Sequence, residues 1–189
     1  RVLFRSARIS ITAVVLTFVL SSGLFLLLRG AGPAHPAPLR WLHVGDLRVD
    51  LALQLDALSL LMLLVVTGVG SLIHIYSFGY MREDRSMGRY FASLSLFMFS
   101  MLGIVLAGNL VMMFLFWELV GFSSWLLINH YLLRQSAADA AKKAFIVNRV
   151  GDLGFLLGIV WCQARFGTTQ LDALAAQTGA GAVVSAGIP

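Results

Sequence analysis

A single acidic residue interrupts one of the most apolar stretches of this chain. Residues 114–128 read FLFWELVGFSSWLLI, and Glu118 is their one charged side chain. Burying a carboxylate in apolar surroundings is costly unless it is paired, hydrated or protonated. In a helix, Gly121, Trp125 and Asn129 share its face, which we expect to point into a bundle. Glu118 is therefore a candidate proton relay, and the alternative is a structural carboxyl held by a neighbouring helix.

A second polar cluster lies in the segment KKAFIVNRVGDLGF, residues 142–155. Arg149 and Asp152 are three residues apart, so in a helix they meet on one face. Lys142 lies two turns earlier on that face, and Asn148 adds a polar neighbour. The pattern predicts a polar stripe that runs inward from one membrane surface. The alternative is an ion pair within the helix that anchors it.

Three further basic side chains have two interpretations each. Lys142 and Lys143 could belong to the polar stripe, or their ammonium groups could reach the lipid headgroups. His74 has the right chemistry for a proton relay, or it is an interfacial packing residue. The candidate proton-translocation residues are Glu118, Lys143, Arg149 and Asp152. The candidate additional relays are His74 and Lys142.

The composition indicates a membrane protein. Of 189 residues, 59% are hydrophobic and 12% are charged, about half the charged share of a soluble domain, and the mean hydropathy is +0.86. The net charge of +5 is therefore not a signal of nucleic-acid binding, and its meaning depends on where the basic residues lie relative to the spans. The single cysteine, Cys162, and four scattered histidines predict no metal site and no cofactor site in this chain.

Five stretches are long and apolar enough to span a bilayer. They cover roughly residues 9–28, 56–80, 89–107, 109–133 and 136–163. Asp56 is a predicted N-cap, and Ser136 with Asp139 has the spacing of a capping box. Short connections predict an all-α, polytopic bundle of antiparallel neighbours.

Residues 29–55 form the one long connection. A Pro/Gly linker is followed by alternating apolar and polar residues around Gly45 and Asp46, which predicts a short extramembrane β-hairpin. One short helix is predicted at 169–177. Basic residues cluster before the first span, at 82–89 and at 134–143, so these loops are predicted to be cytoplasmic and the hairpin external.

Three stretches closely resemble the large antiporter-like membrane subunit of respiratory complex I, the proton-pumping NADH:quinone oxidoreductase (chain L in bacteria, subunit 5 in mitochondria). They are LQLDALSLLMLLVVTGVGSLIHIYSFGYM, FLFWELVGFSSWLLINHY and AAKKAFIVNRVGDLGFLLG. The similarity covers roughly residues 47–168 and is much weaker outside them.

The resemblance implies that this chain is part of a longer subunit in the inner (plasma) membrane. In the family, Glu118 would pair with a lysine on a later helix, which these 189 residues lack. NADH, quinone, FMN and Fe–S clusters would belong to other subunits of the implied complex. The partners would be other membrane subunits, the lipid bilayer and protons, with no nucleic acid.

The predicted spans and the resemblance together divide the chain into five parts. These are a first transmembrane helix (1–28), the linker and hairpin (29–55), a transmembrane helix pair (56–107), the start of the proton-translocating core (108–168) and a loop towards later helices (169–189).

Two other functions stay open at this point. The large subunit of multisubunit Na⁺/H⁺ antiporters is similar, although it usually has an uncharged, Gly-rich stretch in place of NRVGD and often Thr where this chain has Val120. Subunits of inorganic-carbon transport complexes are also related. A structural membrane anchor is an alternative of another class.

Overall fold

A computed structural model describes residues 2–28, 36, 39–44 and 47–178. The chain order of its elements is α1 (Val2–Leu28), β1 (Leu39–Val44), β2 (Leu47–Leu51), α2 (Ala57–Tyr80), α3 (Met87–Val105), α4 (Leu110–Ile128), α5 (Gln135–Phe166) and α6 (Leu171–Gln177). Within these ranges, five helices are long and apolar enough to cross a membrane. The predicted all-α membrane fold with an extramembrane hairpin is confirmed.

Helices α1, α2 and α3 pack against one another through small and hydroxyl side chains as well as apolar ones. The hydroxyls of Ser10 on α1 and Ser95 on α3 are 2.6 Å apart, and Ser71 on α2 donates to the Val14 carbonyl of α1. At one end of this group, Met81 and Phe91 belong to a buried apolar cluster. Hydroxyl groups satisfied in this way let helices approach closely in an apolar environment.

Helices α3 and α4 are joined by a tight turn, as the short Gly108–Asn109 connection predicted. Asn109 is buried, and its side chain caps α4 by accepting from the Met112 N–H at 2.7 Å. The same side chain donates to the Asp50 carbonyl at 2.7 Å. The N-terminus of α4 is therefore tied to the end of the hairpin.

Helix α5 packs against α4 and leaves much of its apolar surface exposed, as expected of a face toward lipid or further helices. The predicted capping box of Ser136 and Asp139 is wrong. The helix begins one residue earlier with Arg134 as N-cap, and Asp139 accepts from the Gln135 side chain instead. The helix ends at Gly167, whose φ of 68° is favourable for glycine.

Three other local predictions are confirmed. Asp56 caps α2, and Ser59 completes a capping box with it. Strands β1 and β2 pair antiparallel as a hairpin, although its turn at 45–46, like the linker apart from Pro36, lies outside the described residues. Helix α6 matches the short helix predicted at 169–177.

Connections gather at two opposite ends of the bundle. Short bridges join Leu53 to Ala107 and Asn109 to Gln170, so the hairpin, the α3–α4 turn and the start of α6 share one end. The α2–α3 and α4–α5 loops meet at the other end through Asp84 and His130. This is the alternating arrangement that the sidedness prediction requires. The division into five functional parts stays a prediction.

Candidate proton-transfer site

Glu118 lies near the middle of α4 and faces α5, where it meets Arg149. The guanidinium Nη1 of Arg149 donates to the Glu118 carboxylate. The Glu118 side chain is 23% exposed and that of Arg149 is 53% exposed. The prediction that the Glu118 face points into the bundle is confirmed, and the side chain that it meets there is a cation.

Asp152 completes the charged cluster from the same face of α5 as Arg149. Its Oδ2 lies 3.8 Å from Arg149 Nη1, so the predicted contact between these residues is confirmed. Asp152 is buried, and its other oxygen accepts a 3.0 Å hydrogen bond from the indole N–H of Trp117. Arg149 is therefore shared between two carboxylates from two helices, which leaves one negative charge in excess when all three are ionised.

One aromatic ring, that of Phe145, contacts the guanidinium group. The ring of Phe145, one turn earlier on α5, lies 5.0 Å from the centre of the Arg149 guanidinium, within range of a cation–π interaction. Phe145 also packs against Trp125 of α4 at 6.4 Å between ring centroids. The Arg149 guanidinium therefore contacts an aromatic ring of its own helix as well as the carboxylates of Glu118 and Asp152.

Gly121 and Asn148 show how closely the two helices approach beside the charged cluster. A Cβ atom built on Gly121 would lie 3.9 Å from the Asn148 side-chain nitrogen. The notch predicted at Gly121 therefore faces a polar group of α5. Asn129, predicted on the same face, is instead the C-cap of α4, and its side-chain oxygen is buried with no hydrogen-bond partner among the described residues.

The two lysines lie apart from this cluster. Lys142 is exposed, and its Nζ is 4.0 Å from Asp139 Oδ1 on the same helix. Lys143 is exposed as well, and within the part of the chain that the structure describes it forms no ion pair. The structure thus brings together Glu118, Arg149 and Asp152 but neither Lys142 nor Lys143.

His74 lies in a different part of the bundle, between α2 and α3. It is 1% exposed, its Nδ1 is 2.8 Å from the Gly70 carbonyl, and its ring is tilted against Phe91. Its Nε2 is buried without a hydrogen-bond partner among the described residues. His74 is therefore packed inside the α1–α2–α3 group, and its role as an additional relay stays a prediction.

A polar contact that the sequence did not predict joins the α2–α3 and α4–α5 loops. His130 Nε2 is 3.0 Å from Asp84 Oδ2, and Arg89 donates to the His130 carbonyl at 2.6 Å. The Ser86 backbone N–H and then the His130 hydrogen bond lower the pKa of the Asp84 carboxyl. No sequence signal links these residues, because they are separated by 41 to 46 positions.

Trp117 was also missed as a site residue. The residue type alone indicates packing within the bundle or at the membrane interface. Its indole N–H instead reaches Asp152 at the edge of the α4–α5 interface. Because Trp117 is 49% exposed, the rule that a buried tryptophan N–H has an acceptor does not apply to it, and no sequence signal identifies this contact.

Two family models match the chain. Residues 41–91 match the N-terminus of chain 5 of NADH-ubiquinone oxidoreductase (complex I). Residues 107–187 match the transmembrane region of the NADH:quinone oxidoreductase/Mrp antiporter family. The two matches include the charged cluster and His74.

Curated relatives are similar over most of the chain. NADH-quinone oxidoreductase subunit L of Mycobacterium tuberculosis is 49% identical over 134 residues, which are 71% of this chain and 21% of that protein. The chloroplastic NAD(P)H-quinone oxidoreductase subunit 5 of Zygnema circumcarinatum is 44% identical over 172 residues, which are 91% of this chain and 24% of that protein. This chain belongs to the family of antiporter-like membrane subunits of complex I. It spans about a fifth to a quarter of the length of these relatives.

Solved structures share the fold of this antiporter-like chain. An Mrp complex from a Dietzia species aligns with a TM-score of 0.69 and 25% identity, covering 97% of this chain and 22% of that one. A membrane-bound sulfane sulfur reductase, an archaeal respiratory membrane complex, aligns with a TM-score of 0.73 and 20% identity. The alignment covers 89% of this chain and 34% of that one. The second match is evidence for the fold alone.

Proposed function

We propose that this chain is part of a proton-translocating membrane subunit of an NADH:quinone oxidoreductase, in which Glu118 takes up and releases protons. The observation that supports the proposal is the sharing of Arg149 between Glu118 and Asp152. A cation next to a carboxylate favours its ionised form, and withdrawal of that cation favours protonation. A shared guanidinium is a means of changing the proton affinity of Glu118.

The proposed cycle moves Arg149 between its two carboxylates. With Arg149 on Glu118, that carboxylate stays ionised. When the guanidinium shifts toward Asp152, whose Oδ2 is 3.8 Å away, Glu118 loses its counter-ion and binds a proton. The return of Arg149 then expels the proton. Asp152 suits the role of second partner because the Trp117 N–H supports its negative charge.

The remainder of the subunit would drive this movement. In the family that the chain belongs to, a later lysine is expected to approach Glu118, and a second cation there would compete with Arg149. NADH oxidation by quinone, with FMN and Fe–S clusters, would take place in other subunits of the complex. We place the subunit in the inner (plasma) membrane beside other membrane subunits of the complex.

A Na⁺/H⁺ antiporter subunit is the second candidate function. Two observations favour it. A chain of an Mrp complex aligns with a TM-score of 0.69, and one matching family model covers both NADH:quinone oxidoreductase and Mrp antiporter subunits. The charged NRVGD sequence and the Arg149 contacts favour the first candidate. A purely structural anchor would not need a titratable group at position 118.

Proton pumping in inside-out membrane vesicles tests the proposal. Glu118→Gln preserves size and hydrogen bonding but cannot titrate, so the assembled complex should pump poorly. Glu118→Asp keeps the charge with a shorter reach and should retain part of the activity. Glu83→Gln, in the exposed α2–α3 loop, is the matched control and should pump normally. Normal pumping by a fully assembled Glu118→Gln complex would make Glu118 structural.

A further inference from the structure

A basic cavity opens where the α2–α3 and α4–α5 loops meet, at the end of the bundle called here the loop end. Its volume is about 400 Å³, and small-molecule sites commonly measure about 300–1,000 Å³. The charged residues that line it are Asp84, Arg89 and Arg134, so two cations face one anion. None of the residues that line the cavity belongs to the Glu118 cluster, and the cavity is therefore a separate feature.

The one carboxylate of the cavity already has partners. Asp84 Oδ1 accepts from the Ser86 backbone N–H at 2.6 Å, and Oδ2 lies 3.0 Å from His130 Nε2. Neither Arg89 nor Arg134 forms an ion pair with Asp84 or with another carboxylate of the described ranges. Both guanidinium groups therefore keep N–H donors for an anion that enters the cavity.

Both arginine side chains are held in place by other contacts. Arg89 Nη2 donates to the His130 carbonyl at 2.6 Å, which leaves the other N–H groups of the fork. The guanidinium carbon of Arg134 lies 5.0 Å from the ring centroid of Tyr131, within range of a cation–π interaction. Ser86 also lines the cavity, and its hydroxyl does not cap α3. Guanidinium groups positioned in this way suit a phosphate, which they bind through paired N–H groups.

The cavity has an apolar rim that suits lipid. Leu132 and Leu133 line it, and their side chains are 57% and fully exposed. Tyr76 and Tyr80, in the last two turns of α2, are exposed as well and stack on each other. Exposed tyrosines at the end of a spanning helix are typical of the membrane interface. The arginines therefore lie near the depth of lipid headgroups, with exposed leucines beside them.

We propose that this cavity binds the headgroup phosphate of an anionic phospholipid. Arg89 and Arg134 contact the phosphate, and Leu132 and Leu133 contact the acyl chains. Basic pockets at the membrane surface recognise such headgroups, and the excess of one cation in the lining matches a lipid with one negative charge. A free phosphate would use the arginines but not the leucines. The bound lipid would link the α2–α3 loop to the start of α5.

Photocrosslinking tests this site in the full subunit within its assembled, detergent-purified complex. The probe is a phosphatidylglycerol that carries a photoreactive group near the start of one acyl chain, and the labelled peptides are identified by mass spectrometry. Labelling should occur in the 131–134 segment. Unlabelled phosphatidylglycerol should compete for it, whereas phosphatidylcholine and inorganic phosphate at equal concentration should not.

Substitutions of exposed residues separate the site from a general attraction between basic loops and anionic lipid. Arg134→Gln should raise the competing concentration of phosphatidylglycerol about tenfold, since a charge-assisted contact is lost, and Arg134→Lys should raise it less. Leu133→Ser should also weaken competition, because it removes an acyl-chain contact. Arg82→Gln is the matched control. It removes one positive charge from the same end of the bundle, at an exposed position that does not line the cavity, and should behave like the native complex.

Equal losses in Arg82→Gln and Arg134→Gln would overturn the site and leave only a general surface attraction. Displacement of the probe by inorganic phosphate, or unchanged competition in Leu133→Ser, would overturn the lipid as its occupant. Equal competition by phosphatidylcholine would overturn the preference for an anionic lipid. Because the readout is lipid binding and not pumping, the result is independent of the Glu118 mechanism.

Discussion

The Arg149 guanidinium on α5 donates to the Glu118 carboxylate on α4. Each helix therefore carries the counter-ion for the other, and the two charges can lie within the membrane because they meet at the helix interface. The ion pair within α5 that the sequence predicted is the weaker contact, at 3.8 Å. Because the pair lies between two membrane-spanning helices, removing one charge leaves the other without its counter-ion.

The first prediction follows from that pairing. Arg149→Gln should reduce assembled complex, because Glu118 and Asp152 both lose their cation. The double variant Glu118→Gln with Arg149→Gln should recover part of the assembly but not the pumping. Arg149→Lys should assemble and pump weakly, since an ammonium is a single point charge and not a planar fork. Quantified complex and pumping in the same vesicles provide the check, and a double variant that assembles no better than Arg149→Gln would count against the pairing.

The second prediction concerns Trp117. Trp117→Phe keeps the ring contact with Phe155, which is 5.8 Å away between centroids, but removes the N–H that Asp152 accepts. We expect the free energy of unfolding to fall by about 1–3 kcal/mol, because a buried carboxylate oxygen loses its donor. Thermal unfolding of the purified subunit in detergent measures this. Trp161→Phe, at an exposed indole of α5, is the control, and equal effects of both variants would refute the role of the hydrogen bond.

The third prediction concerns the α3–α4 contact. A Cβ atom at Gly103 would lie 2.2 Å from Phe116 Cδ1, so the ring would have to move. Gly103→Ala should cost about 1–3 kcal/mol through overpacking. Gly79→Ala, where nothing lies within 4 Å of the added atom, should be neutral or slightly stabilising. Gly103→Ala should therefore have a lower unfolding midpoint than Gly79→Ala. An unchanged midpoint for Gly103→Ala would contradict the packing between α3 and α4.

The fourth prediction is a pH dependence at the loop end. The pKa of Asp84 lies below its ordinary value of 3.8, chiefly because of the Ser86 N–H and then His130, with Arg89 also contributing. A carboxyl whose pKa is lowered by folding stabilises the folded state at pH values above its unfolded-state pKa. This stabilisation disappears as the pH falls through the folded-state pKa.

Asp84→Asn should therefore lower stability at neutral pH, and the difference from the native protein should shrink below about pH 4. Unfolding of the detergent-solubilised subunit at several pH values measures it. Glu83→Gln, one residue away, is the comparison. A difference that stays constant into acid would show that the Asp84 charge is not responsible.

The fifth prediction is sidedness. The basic segments at 81–89 (the α2–α3 loop and the start of α3) and 134–143 (the first turns of α5) should be cytoplasmic. An impermeant thiol reagent applied outside should therefore label cysteines placed at 35–50 but not at 83 or 138. Cys162 and any other cysteines of the full subunit are first replaced by serine. Labelling at 83 and 138 from outside would show that the orientation is the opposite of the predicted one.

The sequence by itself determined the number and order of the spanning helices. Runs of apolar residues about as long as a bilayer is thick leave little freedom in that assignment. Local signals were reliable where the chemistry is local, as in the Asp56 cap and the hairpin. The Ser136–Asp139 box failed because the helix continues back to Gln135, and the spacing alone does not determine where a helix begins.

The tertiary structure decided which polar side chains meet. Helical periodicity placed Glu118 on one face of α4 and Arg149 with Asp152 on one face of α5, but it contains no information on the rotation of one helix against the other. Packing around Gly121, Phe145 and Trp125 fixes that rotation. It pairs Glu118 with Arg149, leaves Lys142 and Lys143 exposed, and encloses His74, because contacts between distant segments depend on the shape of the whole bundle and not on the spacing within one helix.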